Sequence, residues 1–169
     1  NRGWTVTGLE VNETARKYAK EKFNLDVLTE NELDESKKGK FDCITLWHVL
    51  EHFHDPAKYL SKINSLLKTD GVIIVAIPNS DSFDAEYFRN FWAAYDVPRH
   101  LWHFNPDNFS TISKEYGFIV ENIRNLPFDV FYISILSEKY KGSELPFLFG
   151  IIMAFQFAFF INYYREESF

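Results

Sequence analysis

The sequence predicts an α/β fold with a mainly parallel sheet and helices on both of its faces, and three observations lead there. Short apolar runs of strand length alternate along the chain with segments of helical period. Between Phe41 and Asn79 an apolar strand, a helix opened by Asp55-Pro56 and a second apolar run follow one another, the crossover that parallel neighbours require. That second run, VIIVAI at Val72–Ile77, is unbroken, as expected of a strand covered on both faces.

Each element has its own signal. Trp4–Glu10 reads as a strand, and Asn12 is a good N-cap for a helix whose apolar positions Val11, Ala15, Tyr18, Ala19 and Phe23 keep helical spacing. A brief strand at Asp26–Thr29 leads into the polar segment Glu30–Lys40, a short helix or solvated loop. Phe41–Trp47 is the next strand. Pro56 suits the first turn of a helix, and Tyr59, Leu60, Ile63, Leu66 and Leu67 form its apolar stripe. Asp70-Gly71 is expected to turn the chain into Val72–Ile77. Ser80–Tyr95 reads as an aromatic-rich helix, Asp96–Phe104 as a loop, and Pro106–Tyr116 as a helix closed by Gly117. Phe118–Leu126 alternates like a strand, and Asp129–Tyr140 fits either a helix or a strand.

Composition narrows the function. The 169 residues, 46% hydrophobic and 25% charged, suit one domain with a sizeable core. Eighteen Lys and Arg against 24 Asp and Glu give a net charge of -6. No basic cluster interleaved with aromatics is present to track a phosphate backbone, so nucleic acid is not the expected partner. The lone Cys43 lies in an apolar run, expected as a small buried thiol in a reducing, cytoplasmic setting. The chain starts at Asn1 without the order of a signal peptide and is expected to be a fragment.

Three motifs in order, FDCITLWHVLEHFHDPAKYL, DGVIIVAIPN and DVPRHLWHF, resemble the class I S-adenosylmethionine-dependent methyltransferases, within the subgroup that includes the ubiquinone-biosynthesis O-methyltransferases. The resemblance spans Gly3 to Leu136 and implies a Rossmann-like sheet and S-adenosylmethionine as cofactor. In that family a first strand and a glycine-rich turn precede the segment that starts here. None of the seven glycines forms GxGxxG before Trp4, so the expected domain, residues 1–140, lacks both. Residues 141–169 are expected as a hydrophobic C-terminal helical segment, with the family's last antiparallel strand falling beyond Phe169.

The resemblance also assigns roles. Glu10, with Val11 beside it, would accept hydrogen bonds from ribose hydroxyls, against the alternative of a solvated carboxylate near a helix N-terminus. Glu30 and Asn31 fall where the family contacts adenine, although its usual Gly-Asp pair is missing. Leu46, Trp47 and His48 would border the sulfonium end. Glu51 is expected on the acceptor side and His52 is a candidate general base because imidazole titrates near neutral pH; equally, Glu51 and His52 would hold loops together. Asn79 would point its amide into the same crevice on the acceptor side. Arg99 would hold an acidic group bidentately, His100 would serve as base, and Trp102 and His103 would line the acceptor, with pinning of the loop as the alternative. No metal is expected: His48, His52, His54 and Asp55 do not match HExxH, and the HxxEH order of His48, Glu51 and His52 needs a helix where a strand-to-loop junction is expected.

The expected reaction moves a methyl group to an oxygen, with nitrogen or carbon as the lesser alternatives, of a small-molecule acceptor, aromatic or lipidic, with alignment as the main source of rate. The aromatics Phe83, Tyr87, Phe91, Trp92, Trp102 and Phe104 would cover the crevice. The alternatives are a non-catalytic binding or membrane-associated module, and a nicotinamide oxidoreductase sharing the acidic ribose contact. Leu145–Tyr164 is twenty residues without a charge, yet it holds Pro146, Gly150, Gln156 and Asn162 and ends in Arg165, Glu166 and Glu167. It is expected to lie on a membrane surface, or to pack on the domain or a second copy, rather than to span a bilayer.

Overall fold

A computed structural model describes residues 3–33 and 37–166. The chain divides into two compact units, one built on residues up to 44 with 65–72, the other on 45–64 with 73 onward.

In the first unit, β1 (Thr7–Leu9) pairs in parallel with β2 (Asp26–Leu28), with Gly8 opposite Val27. The helix between them, α1 (Glu13–Phe23), starts where the Asn12 side chain accepts from Ala15 N at 3.0 Å and closes where Asn24 turns left-handed. β1 is shorter than the expected Trp4–Glu10, because pairing extends only as far as three-residue β2 provides a partner. α1 buries no residue, and its apolar stripe stays exposed at Tyr18 and Phe23. After β2 a 3₁₀ turn (Glu30–Glu32) is held by Glu32, whose carboxylate accepts from the backbone and hydroxyl of Thr29. Part of the expected polar segment, residues 34–36, lies outside the described residues.

β3 (Phe41–Trp47) and β4 (Leu67–Ala76) form a second two-stranded sheet, linked by α2 (Pro56–Leu66), whose stripe Leu60, Ile63 and Leu66 is buried. Two expectations change here. The Asp70-Gly71 turn does not form: β4 begins at Leu67 and runs through it. Gly71 serves close approach instead, since a Cβ there would lie 3.0 Å from the Phe41 and Lys68 carbonyl oxygens. The VIIVAI run is not covered on both faces either. Val72 and Ile74 are nearly half exposed, so burial along β4 alternates as in a sheet with one open face.

In the second unit the expected helix over Ser80–Tyr95 is three pieces: α3 (Phe83–Phe88) and 3₁₀ turns at Arg89–Phe91 and Ala93–Tyr95. The break lets Trp92 turn inward, where its indole donates to buried Asp84 at 2.7 Å. α4 (Pro106–Glu115) carries a reciprocal cap between Asn105 and Asn108. Residues 118–126 form no strand, having no described neighbour to complete a ladder. α5 (Pro127–Lys141) settles the open choice at Asp129–Tyr140 as helix, and Gly142 ends it with a φ of 81°.

The uncharged tail forms α6 (Pro146–Glu166) and packs along α5. A Cβ on Gly150 would lie 2.4 Å from the Ile135 Cα, so the two backbones touch where only glycine fits. Phe157 joins Ala85, Phe88, Trp92 and Ala94 in one core. Among the described residues no helix is long and apolar enough to cross a membrane. Phe147, Leu148 and Phe155 of α6 remain more than half exposed.

Candidate active site

β3 delivers the site. Beyond Trp47 the chain turns at His48, whose φ is 51°, and its backbone N–H donates to the Ala76 carbonyl at 2.9 Å. The 3₁₀ turn Leu50–His52 then buries Leu50 and Glu51. The Leu101 and Trp102 N–H groups both donate to the Glu51 carbonyl, at 2.9 and 3.3 Å, bringing in the loop after β4. Asn79 bridges to Phe104, and Ser80 N donates to Phe104 O at 2.8 Å. All three motif segments therefore meet at the ends of β3 and β4, where ligands bind in open α/β sheets.

The chemistry centres on Glu51. Its side chain is 1% exposed, and neither carboxylate oxygen has a hydrogen-bond partner among the described residues. Imidazole nitrogens surround it: His48 Nδ1 at 3.6 Å and His100 Nε2 at 3.9 Å from Oε1. His100 Nδ1 lies 2.8 Å from the Ala94 carbonyl and His52 Nδ1 lies 3.0 Å from the Arg99 carbonyl. A carbonyl only accepts, so both Nδ1 atoms carry hydrogen, and in the neutral rings each Nε2 is left with a lone pair. The two rings meet edge to face with centroids 4.7 Å apart. His48 Nε2 sits 3.0 Å from Asp129 Oδ2, and His100 Nε2 also lies 3.8 Å from Asp96 Oδ2.

The site is thus rich in acceptors and short of donors. One proton or one cation placed among these groups would satisfy a carboxylate that burial otherwise penalises. Glu51, His52 and His100 each offer a ligand atom within 4.8 Å of the others, so among the described residues they form a set able to hold a metal. Their carbonyl-fixed Nδ1–H groups are the usual way of orienting imidazole ligands. No single HxxEH helix supplies this set, because His100 arrives from the loop.

The remaining predicted residues fall into two groups. Leu46 is buried and Trp47 exposed at the end of β3. The loop residues are engaged with the protein itself: Arg99 donates to Asp96 from Nε at 3.1 Å and from a terminal nitrogen at 2.5 Å, a contact that raises its pKa, while Trp102 Nε1 donates to Phe53 O at 2.9 Å. His103 Nε2 lies 3.1 Å from Tyr95 O, and Asn79 Oδ1 accepts from Asp81 N at 3.0 Å. Of the aromatics expected to cover the crevice, Trp92 and Phe104 are core, whereas Phe83, Tyr87, Phe91 and Trp102 are exposed. In the first unit Glu10 stands at the end of β1, accepting from Asn12 N at 2.8 Å, and Arg16 donates to the Glu10 and Val11 carbonyls. Glu30 and Asn31 occupy the 3₁₀ turn after β2. Sequence reasoning missed Asp96 and Asp129; Asp129 is 81 positions from His48, and no spacing rule reaches that far.

Comparison with known proteins bears on the family and the fold. A family model described as a methyltransferase domain matches residues 1–123. Two ubiquinone biosynthesis O-methyltransferases from strains of Pseudomonas aeruginosa are each 28% identical over 142 residues, covering 76% of this chain and 61% of theirs. The chain thus spans about three fifths of the length of the curated relatives it matches. A crystal structure of a S-adenosylmethionine-dependent methyltransferase from Thermotoga maritima, described as a possible histamine N-methyltransferase, aligns with a TM-score of 0.56 at 21% identity over 67% of this chain and 55% of that one. A second, from Archaeoglobus fulgidus, gives 0.53 at 19% identity over 80% and 67%. The family match, the fold and the meeting of the three motifs at the strand ends place this chain in the methyltransferase-domain family, with the fold of the S-adenosylmethionine-dependent enzymes.

Proposed function

We propose that the protein transfers the methyl group of S-adenosylmethionine to an oxygen of a small-molecule acceptor, with His100 and His52 as the bases. The observation that carries this reading is the buried Glu51 carboxylate beside imidazoles whose Nε2 lone pairs are free. The cofactor supplies a methyl already activated by its positive sulfur. By the family resemblance, Glu10 would accept from the ribose hydroxyls, Glu30 and Asn31 would contact the adenine, and Leu46, Trp47 and His48 would border the methionine end. An imidazole Nε2 takes the acceptor's hydroxyl proton as the carbon–oxygen bond forms and the carbon–sulfur bond breaks. Glu51 stabilises the imidazolium; Asp96 faces the same His100 Nε2 as Glu51 does, and Asp129 holds His48 from the nitrogen opposite Glu51. Alignment at near-attack distance is worth ~7–11 kcal/mol in well-oriented systems, and the base typically contributes ~10²–10⁴-fold. His100→Gln is expected to lower kcat by about 10²-fold with S-adenosylhomocysteine affinity unchanged; unchanged kcat would exclude His100 as base.

The same donor-poor cluster favours a second reading. A divalent cation on Glu51, His52 and His100 would hold the acceptor oxygen and lower its proton affinity. Equilibrium dialysis with Zn²⁺ distinguishes the two, since a metal site takes up one equivalent and loses it in Glu51→Gln.

The acceptor is aromatic or lipidic in this reading, and the protein works in the cytoplasm with α6 touching a membrane surface or a second copy. Its exposed apolar residues support that placement. Phe147→Ser with Phe155→Ser is expected to abolish co-sedimentation with anionic liposomes; identical partitioning of variant and parent would remove the membrane contact.

A further inference from the structure

Four residues other than glycine take a positive φ: Asn24, His48, Arg89 and Asp96. Asn and Asp enter the left-handed region readily, and His48 belongs to the site above. Arg89 is different. At φ 48° and ψ -124° it sits where the first central residue of a type II′ turn sits, a position dominated by glycine. Such strain persists where the surrounding structure enforces it, and it gathers at ligand sites. A glycine would make the turn from α3 to Trp92 without strain, so the arginine needs another reason.

Its surroundings supply one. Among the described residues the exposed Arg89 guanidinium has no ion pair or hydrogen bond. With Glu86 and Asn90 it borders two hollows. One, of about 510 Å³, is polar, reaching Ser80 and Asp81 directly after Asn79. The other, of about 750 Å³, is walled by Phe83, Tyr87, Phe91 and Phe157, with Lys141 lying over the Tyr87 ring. Around the aromatic hollow two cations, Arg89 and Lys141, face one carboxylate, Glu86. Lys141 is already 3.7 Å from Glu138, so Arg89 is the cation left to meet an anion.

We infer that these hollows bind the methyl acceptor and that Arg89 reads an anionic group on it, a carboxylate or phosphate. The apolar body lies against the aromatic wall, and the reacting end extends through the polar hollow toward Asn79. This inference rests on the methyl-transfer reading and adds the acceptor's class, an acidic amphiphile free in solution. A planar guanidinium fork matches a carboxylate or phosphate bidentately, which an ammonium cannot do.

The test uses the full-length protein and a matched pair of probes, 4-octyloxybenzoate and the neutral 4-octyloxybenzamide, titrated into the parent, Arg89→Gly and Arg89→Lys. The parent is expected to bind the benzoate more tightly than the benzamide. Arg89→Gly should lose at least about tenfold in benzoate affinity with benzamide binding unchanged, while its Tm rises because the strain is relieved. Arg89→Lys should recover part of the affinity. S-adenosylhomocysteine titrated into the same samples keeps the two claims apart: no binding to the parent removes the methyl-transfer reading, whatever the benzoate does. Equal benzoate affinity in the parent and Arg89→Gly, or equal affinity of the parent for acid and amide, would overturn the role of Arg89. Binding seen only with phosphatidylglycerol vesicles would assign the surface to a lipid headgroup and overturn a soluble acceptor, and a lower Tm in Arg89→Gly would overturn the strain argument.

Discussion

Glu51 shows how one buried side chain sets the chemistry of its neighbours. Its carboxylate lacks donors, while His48 and His100 turn nitrogens toward it. Glu51→Gln supplies an NH₂ group to those nitrogens at nearly unchanged volume, so the Tm is expected to hold or rise while kcat falls by ~10²-fold or more. Loss of Tm with full activity would mean that Glu51 only holds the loops together. Much of this was legible, since LWHVLEH and PRHLWHF contain Glu51, His52 and His100. What could not be read is which nitrogen each ring leaves free, because Ala94 and Arg99 decide it through backbone carbonyls. A second residue adds a small pH-dependent contribution. Hydrogen bonds from Thr29 lower the Glu32 pKa, so its contribution is present above the unfolded value and fades as pH falls through the folded one. Thermal scans of the parent and Glu32→Gln should accordingly differ at neutral pH and converge in acid.

At the scale of elements, the helices were more legible than the strands. The Asn12 cap and the Gly117 end of α4 act within a few residues, so the sequence displays them directly. Strands depend on partners that pattern does not reveal: residues 118–126 alternate correctly yet find no neighbour, and β4 overruns Asp70-Gly71 because pairing outweighs a local turn signal. The α5–α6 contact is the clearest energetic consequence of packing. Gly150→Ala places a methyl against the Ile135 backbone and should cost about 1–3 kcal/mol or more, read as a lower midpoint in denaturant. A midpoint equal to the parent's would show that the helices separate freely. Packing of the tail on the domain was among the expectations and is seen; which of its residues join the core was not legible, since a uniformly apolar run gives no face from which to choose a partner.

For the whole molecule, the α/β class and the order of motifs were legible because strand and helix periods alternate over long stretches, and the family match over residues 1–123 covers the same segments. The proposed acceptor surface was not legible, because it draws on α3, the turns after it, α5 and α6, which no single motif joins. The central claim is methyl transfer from S-adenosylmethionine, with Glu10 on the ribose. Calorimetric titration of the full-length protein with S-adenosylhomocysteine tests it most directly. The prediction is saturable binding that Glu10→Ala weakens by at least about tenfold, the loss of a charge-assisted hydrogen bond; absence of binding at millimolar ligand would contradict it.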